Sequence, residues 1–325
     1  MADAVLAVDE LSVVLRTRGG EATILDAVTI AVEAGETVAL VGESGAGKTM
    51  LALAVMGLLP DAMAVTGGRI RLLDTELLGA PDAAIRSLRG GEMAMVFQDP
   101  QSSLHPAFRV GAQVAEAIRA HDSHVGKPDA RARAVDLLRR VGIPQAETRA
   151  RDYPHQLSGG MRQRVMIAMA MANQPRLLIA DEATTALDVT VQAQVLEVLR
   201  AAQSETGAAM LVVTHDLGVV SAVADRVVVM YAGRVVEAGP VIEVLTAPAH
   251  PYTRGLLAAV PRIDDAAPVQ AIPGQPPSPF ARPSGCAFRT RCDRADDTCA
   301  AAVPALAAVG ARSDHDVACF HPESA

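Results

Sequence analysis

Five short runs in this chain carry residue types that handle phosphate, and they follow one another between Gly42 and Asp216. The first is GESGAGKT, Gly42–Thr49. Its glycines, Gly42, Gly45 and Gly47, let backbone N–H groups wrap a phosphate chain where a side chain would intrude. Glu43, Ser44, Ala46 and Met50 complete the loop and its exit and count with it as nucleotide-contacting positions. A helix expected to follow aims its positive end at the same charge. Lys48 is placed to reach the β- and γ-phosphates of ATP, and the Thr49 hydroxyl to ligand Mg2+. A Gly-rich turn with a solvated lysine is the bland alternative, and the apolar strand before and helix after the loop argue against it.

The second acidic run, LLIADE, ends in Asp181 and Glu182. A carboxylate closing an apolar strand needs an ion or a partner, so Asp181 is expected to hold Mg2+ through water. Glu182, pointing to the opposite side of an extended chain, can take a proton from an attacking water. Gln98 of MVFQDP and His215 of VVTHD, read singly, would be a solvated amide and a satisfied structural imidazole. Their place in the order assigns them to the γ-phosphate or the water, with Gln98 also a candidate Mg2+ ligand. The third run along the chain is LSGGMRQR, Leu157–Arg164. Ser158, Gly159 and Gly160 open a helix expected over Met161–Met171, with Gln163 in its first turn, and make a second anion-binding helix start. One ATP does not need two such cradles from one molecule, so they face different nucleotides in a dimer.

Elements must hold these runs in place. Val5–Val14 and Ile24–Val32 read as antiparallel strands around a turn region at Arg16–Glu21. Thr37–Val41 is a short β-type run into the glycine loop, and the apolar helix after it, Met50–Leu59, stops at Pro60. The section from about Ala112 to Met171 is mostly helical. Leu177–Ala180, Met210–Val213 and Arg226–Met230 read as buried strands, with a helix over Val191–Gln203. Alternating strands and helices imply an α/β fold with a mainly parallel core sheet.

Composition sets the limits. The 325 residues are 50% hydrophobic and 20% charged, enough to bury a core. A net charge of −8 disfavours nucleic acid or anionic lipid as the main partner. MADAVLAVDE lacks the features of a signal peptide, and no apolar run is long enough to span a bilayer. The expectation is a soluble, intracellular chain. After about Leu245 prolines fragment the texture, and all four cysteines lie beyond that point. The expected division is a cassette over residues 1–245, with a helical subdomain at about 100–172, and an extension over 246–325.

Taken together, the runs resemble the ATP-binding cassette (ABC) ATPases. The resemblance implies a P-loop NTPase cassette with an antiparallel N-terminal β subdomain and a helical subdomain, in which two cassettes meet head to tail. Ser158, Gly159 and Gly160 would then close over the partner's ATP, and Asp188 of TALD would lie at the dimer interface. YPHQLSGGMRQRVMIAMAMANQP, DEATTALDVTVQAQ, THDLGVV and HPYTRGLLAAVP narrow it to the oligopeptide/dipeptide importer branch, from about Leu6 to His321. That branch implies a peripheral subunit on the cytoplasmic face of the membrane, bound to two transmembrane permeases. An extracytoplasmic substrate-binding protein feeds the permeases, and the second ATPase is a paralogue or a copy. Met93–Gly111 and the helices after it would receive a permease's coupling helix. A soluble ABC ATPase of DNA repair or translation is disfavoured by the short insert between Gln98 and Leu157 and the acidic charge. A non-hydrolysing regulatory cassette is disfavoured by the presence of Glu182 and His215.

Two positions depart from the family pattern. No Phe, Tyr or Trp precedes Phe97, and Leu15 stands about where an adenine-stacking ring is expected. Modest discrimination between ATP and GTP is the expectation, and a strong preference for ATP in a competition assay would refute it. Ala183 stands where proline commonly follows the glutamate.

Cys286, Cys292, Cys299 and Cys319 have gaps of five, six and nineteen residues, without the tight pairs of common zinc sites. In a reducing compartment clustered thiols point to metal or redox chemistry: an iron–sulfur cluster, structural Zn2+, or free thiols. His315 and His321 are spare ligands. GQPPSPFARPSGCAFRTRC, with Cys319 before Phe320 and His321, resembles the cysteine-bearing segment of the importer ATPases, which implies a [4Fe–4S] cluster.

Overall fold

The computed structural model describes residues 4–99, 103–122, 124–184, 188–260, 271–310 and 314–323. Pro100 of MVFQDP, residues 185–187 of TALD, and Pro261 and Pro268 of the tail lie outside the described residues. Two runs rich in Val, Leu and Ile make β1 (Ala4–Thr17) and β2 (Gly20–Glu33), paired antiparallel. The turn expected across Arg16–Glu21 is tighter, because the strands pair up to Thr17↔Gly20. β3 (Thr37–Val41) leads through the glycine loop into α1 (Lys48–Val55). That helix is shorter than its apolar run. Gly57 at φ 62 takes the left-handed conformation that ends a helix before Pro60 is reached.

β4 (Met63–Leu72), β5 (Thr75–Glu76), α2 (Asp82–Leu88) and β6 (Met93–Val96) follow. The helical section holds α3 (Val110–His121), α4 (Lys127–Arg140), the short α5 (Ala146–Arg149) and α6 (Gly159–Ala170). Then come β7 (Leu177–Asp181), α7 (Val189–Thr206), β8 (Ala209–Val213), α8 (Leu217–Val223), β9 (Arg226–Tyr231) and β10 (Arg234–Pro240). The chain closes with α9 (Val241–Thr246), α10 (Pro251–Ala258), α11 (Asp297–Ala301), β11 (Ala307–Ala308) and β12 (Asp316–Val317).

Two sheets result. β2-β1-β4-β5 is antiparallel, and β11-β12-β10-β9-β3-β8-β7-β6 is parallel from β6 through β9. Every residue of β3, β7 and β8 is buried, as a sheet covered on both faces requires. One core cluster packs α3, α4 and α6 against the β6–β8 side, and another joins both sheets around α1. The ends of β3, β7 and β8 therefore present their loops from a rigid base. No helix among the described residues is long and apolar enough to cross a membrane.

The eight-stranded sheet continues across the boundary expected at 245. β12 pairs with β10 at Glu237↔Val317 and Ala238↔Asp316. A third core cluster holds Val229 and Tyr231 of β9 together with Tyr252 and Phe288. Glu237 lies at its margin, 0% exposed, and accepts from the N–H groups of Ala249 (2.6 Å) and His250 (3.0 Å) and pairs with His315 Nε2 (2.8 Å). A buried carboxylate is stable in this way because its lone pairs are filled.

Candidate nucleotide site

The glycine loop sits where β3 ends, and its geometry explains its glycines. Gly42 has φ 152, and a Cβ there would come 2.2 Å from the Met230 carbonyl oxygen, so only glycine lets the loop start against β9. Gly47, at φ 103, precedes α1 without a side-chain cap, leaving the helix's first N–H groups directed into the loop. Ser44 and Gly45 are exposed, Ala46 is buried and Met50 is half-buried.

Lys48 is 5% exposed and donates Nζ to the loop's own carbonyls, Gly42 at 2.7 Å and Glu43 at 3.1 Å. Burial pushes its ammonium pKa down, against the charges of Glu182, Asp181 and Glu43. Thr49 Oγ1 donates to Asp181 Oδ1 at 3.2 Å, across 132 residues of chain. Burial pushes the Asp181 carboxyl pKa up, while the Thr49 hydrogen bond opposes it. A divalent cation beside these two oxygens would relieve that desolvation, so the donor set fits Mg2+.

Glu182 is turned otherwise than expected. Its backbone is not extended: φ is 45, in the left-handed region. Its N–H donates to Val213 O on β8 at 2.9 Å. The carboxylate accepts from Gln98 Nε2 at 2.7 Å through Oε2 and meets His215 Nδ1 at 3.3 Å through Oε1. Gln98, Glu182 and His215, from the ends of β6, β7 and β8, thus form one bonded group. Ala183 is buried at this turn.

The LSGG run opens α6. Ser158 caps α6 by accepting from Met161 N at 3.3 Å. Gly159 begins the helix, and Gly160 lies against α7, where a Cβ would sit 2.3 Å from Val191 Cγ1. Gln163, also on α6, is 1% exposed. Asp188 caps α7, accepting from Val191 N at 3.0 Å.

Cys286, Cys292, Cys299 and Cys319 all line one small cavity of ≈ 10 Å³, with His250 and His321. Burial, with the neighbouring thiols' charges, pushes the Cys286 and Cys292 thiols up and Cys319 to about 11. His250 caps α10 by accepting from Tyr252 N at 3.0 Å, and burial pushes its pKa down to about 3. Its Nε2 is buried without a partner. Asp296, Cys299 and His321 bring ligand atoms within 4.8 Å of one another.

Sequence reasoning missed Arg291. Its side chain is 3% exposed and forms a two-pronged ion pair with Glu43, Nη1 to Oε2 at 2.6 Å and Nη2 to Oε1 at 3.0 Å. Tyr252, noted only within HPYTRG, accepts from Glu43 N through Oη at 2.7 Å. Spacing gives no sign of either contact.

Residues 25–185 match the family described as ABC transporter, and residues 236–299 the family described as oligopeptide/dipeptide transporter, C-terminal region. The chain is 52% identical over 320 residues to the oligopeptide transport ATP-binding protein OppD of Mycobacterium tuberculosis, covering 98% of this chain and 52% of that one. It therefore spans about half the length of that relative. A putative peptide import ATP-binding protein of Brucella melitensis is 49% identical over 318 residues, with 94% of each chain covered. Among solved structures, the dimeric bacterial ABC transporter cassette MJ0796 is similar at TM-score 0.66 and 25% identity, over 73% of this chain and 98% of that one. CbiO1 of Clostridium perfringens, part of the transporter complex cbiONQ, is similar at TM-score 0.64 and 29% identity, over 75% and 92%.

Proposed function

The chain belongs to the ABC transporter ATPases of the peptide-import group, and from that premise we propose that it binds and hydrolyses ATP to drive uptake of di- or oligopeptides, or of a related small solute. The observation that carries this reading is the convergence on β3, β6, β7 and β8: Thr49 bonded to Asp181, and Gln98 and His215 both on Glu182.

In this reading the loop N–H groups of residues 42–49 and the start of α1 bind the phosphates. Lys48 exchanges its loop carbonyls for the β- and γ-oxygens, offsetting their charge. Thr49 and Asp181 would hold Mg2+, with Gln98 beside them, and the ion when bound neutralises charge on the transferred group. Glu182 takes the proton of the attacking water, and Gln98 and His215 fix its carboxylate and the water's position. Ser158, Gly159 and Gly160 act on a second copy's or paralogue's nucleotide. Support comes from their place at the start of α6, where Ser158 caps the helix; closure of a head-to-tail dimer would then gate hydrolysis. Asp188, at the start of α7, would face that interface.

Two permeases and, indirectly, an extracytoplasmic binding protein complete the assembly, with the chain peripheral on the cytoplasmic side. We assign residues 1–245 to the cassette, with its helical part at about 100–172, and residues 246–325 to the extension. The four thiols would hold a [4Fe–4S] cluster, with Zn2+ as the alternative. One tetrahedral Zn2+ needs sulfurs about 3.8 Å apart, whereas the compact ligand triple among the described residues contains a single thiol, Cys299. Support for a cluster is that all four thiols face one cavity, as a group bound by four cysteines requires.

The test is MgATP hydrolysis by the chain co-expressed with candidate peptide permeases and reconstituted in vesicles. Peptide-stimulated turnover and co-purification with permeases are expected, and a chain that hydrolyses ATP but binds no permease would overturn the importer assignment. Iron and acid-labile sulfide near four per chain would establish the cluster. Zinc without sulfide would replace it.

A further inference from the structure

Glu43 is the second residue of the phosphate loop, and its side chain is held by the extension. Both carboxylate oxygens accept from Arg291, 248 residues away in sequence. The guanidinium is fixed on its other sides too. Its Nε donates to Pro273 O at 2.8 Å, and its Cζ lies 5.8 Å and 5.9 Å from the ring centroids of Tyr231 and Phe288. A two-pronged pair with a buried guanidinium fixes orientation as well as distance, unlike a solvated surface pair. The Glu43 backbone is held separately, its N–H donating to the Oη of Tyr252, itself 0% exposed. The loop thus enters its turn clamped at one residue by both side chain and main chain. Arg291 lies in the short segment between Cys286 and Cys292, the same segment that places Phe288 among the rings of Tyr231 and Tyr252.

We infer that Arg291 is a positioning residue for ATP: through Glu43 it keeps the phosphate loop in its binding shape, and the segment that carries it makes ATP affinity depend on the Cys286–Cys292 end of the thiol site. The inference rests on the reading of the loop as an ATP site. A loop that holds its shape only a tenth of the time binds about ten-fold more weakly, with the chemistry of the bound state unchanged.

The experiment measures MgATP Kd, KM and kcat on the full chain and on variants. Arg291→Met is expected to raise Kd and KM by about ten-fold while kcat stays within about two-fold, and Glu43→Gln to raise Kd by a similar factor. The double variant is expected to bind no more weakly than the worse single one, because both remove one contact. Arg291→Lys is expected to recover part of the loss. A merely structural role would instead lower kcat through a smaller active fraction and leave KM in place. Cys286→Ser/Cys292→Ser is expected to raise Kd in the same direction. Kd within two-fold of wild type for folded Arg291→Met, or single effects that multiply in the double variant, would overturn the positioning role. An unchanged Kd in the cysteine variant would overturn the dependence on the thiol site. A wild-type chain that fails to bind MgATP would overturn the ATP-site reading itself, and the inference with it.

Discussion

Glu182 stands where the ends of three strands meet, in a backbone conformation that a glutamate reaches only at a cost. At φ 45 it is among the described non-glycine residues with positive φ, and such a residue stores roughly 1–3 kcal/mol of strain. Its N–H on Val213 and its carboxylate between Gln98 and His215 hold it there. Glu182→Gln keeps size and shape but removes the proton acceptor. We expect MgATP affinity to persist and phosphate release to fall by about 10²–10⁴-fold, with the closed dimer accumulating on size exclusion. Turnover equal to wild type would remove Glu182 from the chemistry. The residue types of this group are legible in the sequence because phosphate chemistry restricts them so tightly. The turn at Glu182 is not: a strand followed by an acid pair reads as extended, and the left-handed twist comes from where Gln98 and His215 stand. The Arg291–Glu43 pair is less legible still, since nothing local marks a contact between positions so far apart.

At the level of elements, the start of α6 is set by close packing on α7. Alanine at Gly160 would bring its methyl 2.3 Å from Val191 Cγ1, inside any tolerable contact. Gly160→Ala should destabilise the chain by about 1–3 kcal/mol, read as a lower denaturant midpoint. Val191→Ala in the same chain should restore most of it, and no rescue would show that the clash is not the cause. Glu237 links β10 to the start of the extension. Glu237→Ala would strand the buried N–H groups of Ala249 and His250, a loss of about 2–5 kcal/mol. Urea unfolding of Glu237→Ala beside Glu237→Gln, which keeps one acceptor, checks this, and equal midpoints for both would refute it. β1 and β2 are legible because β-branched runs bounded by turns have few other uses, whereas β4, interrupted by Gly67 and Gly68, is not among the strands expected. β12, two residues long, is not, because so short a segment becomes a strand only against an edge already in place. The end of α1 is misread for a related reason: an apolar run continues past the point where Gly57 turns the chain.

Across the whole molecule, the extension is built into the cassette at several places. β12 lengthens the main sheet, Phe288 and Tyr252 share a core with β9, and Arg282 donates to Asp26 of β2 at 2.7 Å and to the Thr23 carbonyl at 3.0 Å. Composition marks the tail as different in texture, yet gives no sign that it touches both sheets. The pairing of β12 with β10 also has a bearing on self-association. A fragment ending at Thr246 would leave β10 as a bare, unpaired margin beside newly exposed Tyr231 and Val236, a template for the same margin of another molecule. Light scattering on that truncated fragment should reveal growing oligomers at concentrations where the full chain stays dispersed. The last strands of the tail would then serve, whatever the thiols bind, as the guard that keeps one cassette from polymerising with the next.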